Sequence, residues 1–184
     1  LRSHLREPAA EVGARLRRAT GIDIATQLEW PNEWRAWAAW RAAVEEMGGL
    51  VFLFPGVSLE EARGLSLLRT PLPAVAINSR EMPETRSFTL FHELVHVMLA
   101  AADEEAPAIR ERRPASRWDE VERFAEAVAS HVLVPETALG QALPSGPADR
   151  AWNLQDVRAL ARRFRITPLA MATRLRESGF MSWA

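Results

Sequence analysis

Two histidines four positions apart, with a glutamate after the first, are the residues best placed to do chemistry: His92-Glu93-Leu94-Val95-His96. Side chains at i and i+4 leave a helix on one face, so both imidazoles can reach one metal ion while Glu93 stands beside it without ligating it. A carboxylate so placed is a general base for water. The flanks Phe88-Thr89-Leu90-Phe91 and Val97-Met98-Leu99-Ala100 are apolar, which predicts a buried helix where a charged triplet is costly unless it is used. The chain has no Cys, which excludes thiolate ligands and disulfides and leaves His and carboxylates to hold a metal.

A hydrolytic metal site needs three protein ligands and an open position. No histidine follows His96 at the short spacing that would supply the third; His131, like His4, reads as a structural or surface residue. That leaves a glutamate on a later helix. Glu122 opens the run Val121-Glu122-Arg123-Phe124-Ala125-Glu126-Ala127-Val128-Ala129, and Glu126 lies one turn further on the same face. The first carboxylate can bind metal while the second accepts a hydrogen bond from a ligating imidazole and fixes its tautomer. Glu120 is an alternative ligand, and taken alone this helix would read as a solvated face. Two imidazoles and a carboxylate suit Zn²⁺, and Mn²⁺ or Fe²⁺ accept similar ligands.

Several elements must position these groups. Apolar spacing predicts a helix from Glu7 to Thr20 and a second after Pro31-Asn32 to Met47, its apolar face carrying Trp34, Trp37, Trp40 and Val44 and its end marked by Gly48-Gly49. Leu50–Phe54 reads as a buried strand, Gly64–Leu68 as another and Pro73–Asn78 as a third, a small sheet before the helix from Arg86 to Ala102. Asp103–Arg117 reads as a charged connection, Trp118–Val134 as a helix stopped by Pro135, and Pro144-Ser145-Gly146-Pro147 as a linker. Two final helices are expected near Asp156–Phe164 and Pro168–Ser178.

The 184 residues suffice for one globular domain with an appendage, and a net charge of −1 argues against a nucleic-acid binder working by bulk electrostatics. Every basic residue is Arg, and Tyr is absent, so no tyrosine can assist an oxyanion; His131 and Arg86 are the substitutes to consider. No apolar run approaches the roughly 20 residues of a membrane span, and no signal peptide is recognisable at Leu1-Arg2-Ser3-His4, which makes the cytoplasm the expected compartment.

Together these residues resemble the ImmA/IrrE-type metallopeptidases, often encoded with or fused to helix-turn-helix repressors. The resemblance runs through the Trp-rich helix into Gly48-Gly49-Leu50-Val51-Phe52, Pro73–Asn78, the block Arg86–His96, and Glu122 to Pro135. Members usually carry Asn or Asp four residues after the ligand glutamate, where this chain has Glu126. The resemblance implies an α+β fold, with a small mixed sheet packed on the HExxH helix in a gluzincin-like core and a C-terminal helical pair. It further implies a zinc ion on His92, His96 and Glu122, Glu93 as catalytic base, and cleavage of an intracellular helix-turn-helix repressor. Residues 1–143 would form the peptidase domain and 144–184 a helix-turn-helix-like subdomain. Strand position and the family likeness together make Ala74, Val75, Ala76, Ile77 and Asn78 the edge expected to take up an extended substrate.

Two other readings stand beside this one. A metal-binding but proteolytically silent module, regulatory or toxin-like, would keep the same ligands. A DNA-binding regulator would use the last two helices, with Arg158, Arg162, Arg163, Arg165, Arg174 and Arg176 as a basic exterior. No base-reading set is recognisable there, which favours a helical cap with a solvated arginine face.

Overall fold

The computed structural model describes residues 1–68, 72–102, 115–143 and 152–181. Within them eight helices and three strands follow one another as α1 (Ala9–Ala19), α2 (Ile24–Glu29), α3 (Glu33–Glu46), β1 (Leu50–Phe54), β2 (Gly64–Leu67), β3 (Ala74–Asn78), α4 (Pro83–Ala100), α5 (Ala115–Leu133), α6 (Glu136–Ala142), α7 (Leu154–Phe164) and α8 (Pro168–Glu177). The fold is α+β.

Short-range chemistry sets many of these boundaries. The side chains of Asp23, Asn32, Asn153 and Thr167 accept hydrogen bonds from the backbone N–H of Thr26, Arg35, Asp156 and Ala170, satisfying first-turn donors of α2, α3, α7 and α8. Pro83 sits in the first turn of α4, where a missing N–H costs nothing, and Pro135 follows the end of α5. Gly48, at φ 89°, turns the chain out of α3 in a conformation that a side chain would oppose. Helices α2 and α6 have six and seven residues, too few to show a period in the sequence.

The sheet is mixed, in the order β1-β3-β2, with β1 parallel and β2 antiparallel to β3. The register aligns Val51, Val75 and Ser66 across one face and Phe52, Ala76 and Leu65 across the other. The first face packs on α4, burying Val75 and Ile77 against it. The other face leaves Phe52 53% and Leu65 56% exposed, so β1 is an exposed edge strand and not the buried one its apolar run predicts. An unbroken apolar run cannot report that a strand lies at an edge with one face uncovered.

Around α4 stand α3 and α5, with α1 crossing α5. Trp40, 1% exposed, makes edge-to-face contacts with Trp30 at 5.2 Å and Phe91 at 5.1 Å. Such pairs contribute beyond the area they bury. Trp37 and Val44 are buried as their spacing predicts, but Trp34 is 55% exposed, with the Arg86 guanidinium 5.5 Å from its ring centre. Crossing is so close that a Cβ on Gly13 of α1 would lie 2.6 Å from the Cβ of His131 on α5.

The α7–α8 pair packs into the same hydrophobic core through Val157, Leu160, Phe164, Met171 and Leu175. Arg174 is buried, donating to Val134 O, Ser178 Oγ and His131 Nδ1, so it does not belong to a basic exterior. Arg165, in the left-handed conformation that ends α7, donates to Trp30 O. Arg158, Arg162 and Arg163 are exposed and Arg176 partly so. Residues 103–114 of the expected charged connection, and the Pro144–Pro147 linker, lie outside the described residues; 115–117 begin α5. No described helix is long and apolar enough to cross a membrane.

Candidate metal centre

Helix α4 presents His92 and His96 one turn apart, and α5, packed alongside, brings Glu122 to them. The Nε2 atoms of the two imidazoles are 3.1 Å apart. Glu122 Oε2 lies 3.3 Å from His92 Nε2, and Glu122 Oε1 3.5 Å from His96 Nε2. Three donors about 2.1 Å from a common tetrahedral centre would be separated by about 3.4 Å, close to the distances found, so the set fits a zinc-sized ion. These three side chains could hold a metal.

Aromatic rings hold the imidazoles from behind. Phe88 lies 6.4 Å from His92 at an interplanar angle of 27°, and Trp118 lies 6.2 Å from His96 at 17°. Each ring is four residues before a donor of the cluster, Phe88 before His92 and Trp118 before Glu122, a spacing legible in the sequence as one helical turn.

Glu93 leans the other way, onto β2. A Cβ on Gly64 would lie 2.7 Å from Glu93 Cγ, 2.8 Å from Glu93 Oε1 and 2.6 Å from Thr89 Cγ2, so the glycine makes room for this approach. Burial pushes the Glu93 carboxyl above the usual carboxylate value. The charges of His96 and His92 and a hydrogen bond with the Ser66 side chain oppose that shift, and Glu122 adds to it.

A buried polar network fixes the start of β2 against α4. Glu81, 3% exposed, accepts from Thr89 Oγ1 at 2.8 Å and from Arg63 Nη1 at 3.3 Å. Its burial raises the carboxyl's pKa, while the bonds from Thr89 and Arg63 lower it. Gly64, Ser66 and Glu81 were not legible as site residues, because each acts across the fold.

Other expected residues are elsewhere. Glu126 is exposed one turn past Glu122 and makes no hydrogen bond to either imidazole, while His92 Nδ1 is buried without a partner among the described residues. Glu120 is exposed. Arg86 donates to the carbonyls of Glu81 and Ser79, and His131 meets Arg174, so both are occupied away from the cluster. The expectation that Ala74, Val75, Ala76, Ile77 and Asn78 form a substrate-receiving edge is corrected by the strand order: β3 is central, and β1 and β2 take both its sides. Asn78 is buried and donates to Val57 O and Ala62 O, pinning the β1–β2 connection. The sequence shows that a strand exists but not its rank in the sheet.

One solved structure, a Mycobacterium tuberculosis transcriptional regulator, superimposes with a TM-score of 0.52 at 14% identity, covering 92% of this chain. The match takes in 52% of that protein, so the chain spans about half its length. At this identity the likeness shows the fold. No curated protein matches the chain. The sequence profile of Peptidase_M78, the IrrE N-terminal-like domain, matches residues 46–176, a span that runs from the end of α3 through the three-donor cluster into α8. The chain belongs to the IrrE N-terminal-like peptidase family.

Proposed function

We propose that this chain is a zinc-dependent endopeptidase acting on an intracellular protein, a helix-turn-helix transcriptional repressor. The observation that carries the reading is the convergence of His92 Nε2, His96 Nε2 and the Glu122 carboxylate, with Glu93 beside them. His92, His96 and Glu122 would hold the metal, which when bound lowers the pKa of water and polarises a carbonyl. Mn²⁺ or Fe²⁺ in place of zinc would use the same three donors.

The remaining steps belong to the chain's own groups. Glu93, held between β2 and the imidazoles, takes a proton from the attacking water and delivers it to the leaving amine. The side of β2 away from β3 is bounded by no strand among the described residues, so an extended peptide aligned there would pass Gly64 and Ser66 beside Glu93. Family membership supports the peptidase reading, and the neighbour's description as a transcriptional regulator supports a substrate within transcriptional control.

The test compares the zinc-loaded protein with Glu93→Gln. Expected is cleavage of a co-expressed repressor by the parent only, with equal zinc in both by elemental analysis. Equal cleavage by both would overturn the assignment of Glu93. Zinc bound by both and no cleavage by either would favour the silent module.

A further inference from the structure

The uncovered face of the sheet has a relief set by the strand register. Leu50, Ala74 and Leu67 lie in one row across the three strands, and Phe52, Ala76 and Leu65 in the next. Alternate residues share a face, so both rows stand on the side away from α4. Each row reads large, small, large. The two alanines are half-buried and floor a furrow along β3, while Leu50 with Phe52 and Leu65 with Leu67 are exposed ridges on either side of it. Leu72 is exposed as well, and a Cβ on Gly48 would lie 3.9 Å from its Cδ2, which places it just ahead of β1.

None of the three strands contains a charged residue. About half of each of the five large side chains is open to solvent, roughly 100 Å² apiece and on the order of 500 Å² together. Two such faces would bury on the order of 1,000 Å², the threshold for a specific interface. A patch without charge has the composition of a contact between identical subunits, whereas surfaces that meet other proteins transiently are about as polar as the rest of the exterior.

The edge of β1 is less available than the face. Arg41 reaches from α3 and donates Nη2 to Val51 O at 3.0 Å, occupying an acceptor that β3 does not use.

We propose that a second copy of this chain covers the face, forming a homodimer in which the Leu50–Phe52 ridge of each copy seats in the Ala74–Ala76 furrow of the other. A two-fold axis running along the strands makes both contacts at once, so the interface is isologous and closed. It is a sheet-on-sheet packing with the two layers about 10 Å apart. Glu93 approaches the sheet from the α4 side, so the dimer is independent of the peptidase reading.

Sedimentation equilibrium of the full chain tests it. Expected at about 100 µM is twice the chain mass, falling toward the single-chain mass on roughly hundredfold dilution, as an interface at the lower size limit implies. Phe52→Glu removes a ridge and should weaken the dimer by at least about tenfold. Ala76→Leu fills the furrow and should weaken it comparably, although it adds apolar surface and would strengthen association through a merely adhesive face. Both side chains point away from the core, and far-ultraviolet circular dichroism matching the parent's would show that association and not folding was lost. A single-chain mass at about 100 µM would overturn the proposal and leave the face to a different protein. An unchanged dimer in Phe52→Glu, or an unchanged or stronger one in Ala76→Leu, would overturn it equally.

Discussion

The backbone of Gly64 and the side chain of Glu93 approach so closely that a single methyl on the glycine would stand 2.7 Å from Glu93 Cγ. Strand β2 therefore acts as a stop against which the carboxylate rests. Gly64→Ala should push Glu93 and Thr89 aside without touching His92, His96 or Glu122. Since misplacement of a catalytic group by about 1 Å can cost about a hundredfold, turnover should fall by that order while zinc content stays at the parent's level. Steady-state kinetics beside elemental analysis reads both; unchanged turnover would show that Glu93 is not held by β2.

Removing Glu122 should have the opposite signature. With two imidazoles left, Glu122→Ala should lose most of its zinc, whereas the parent holds about one equivalent. Glu126→Ala, an exposed position with no bond to either imidazole, should keep its metal. Loss of metal from Glu126→Ala but not from Glu122→Ala would reverse the assignment.

Acid should loosen the helical junction at His131. Its pKa lies below the ordinary histidine value because of burial, reinforced by the Arg174 charge and opposed by Glu136. The unfolded chain thus binds the proton more readily than the folded one, so this contribution to stability is present above the unfolded pKa of 6.5 and is lost as pH falls toward the lower folded value. Thermal melts across that window should show a falling Tm, with a shallower slope in His131→Asn. Parallel slopes would assign the effect to other groups.

Truncating the aromatic core should be severe. Trp40→Ala removes two edge-to-face contacts and the ring that lies 5.4 Å from the Arg17 guanidinium. A loss of about 3–5 kcal/mol is expected from chemical denaturation, against under about 0.5 kcal/mol for a surface change such as Arg158→Gln.

Local geometry accounts for what could be read from the sequence. His92 and His96 share a face because helical periodicity requires it, and residues 31–32, 83 and 135 mark element ends through caps and prolines that act over one turn. Glu122 was accessible by asking what two imidazoles lack. Strand order was not accessible, since nothing within Ala74–Asn78 records that β2 and β1 flank it. Nor was the exposure of Trp34 or the burial of Arg174, because both depend on partners distant in sequence: Arg86 for one, Val134 and His131 for the other.

Gln27 has a wider reach than its polar side chain would suggest. It accepts from Arg17 Nη1 and donates to the carbonyls of Leu133 and Phe164, so one buried amide joins α1, the end of α5 and the end of α7. The last two helices are therefore coupled energetically to the first through Gln27, and opening them would strand the buried amide proton that it directs at Phe164 O. Amide exchange in α7 should accordingly follow the cooperative unfolding of α1 rather than fray separately, making the two ends of the chain a single foldon.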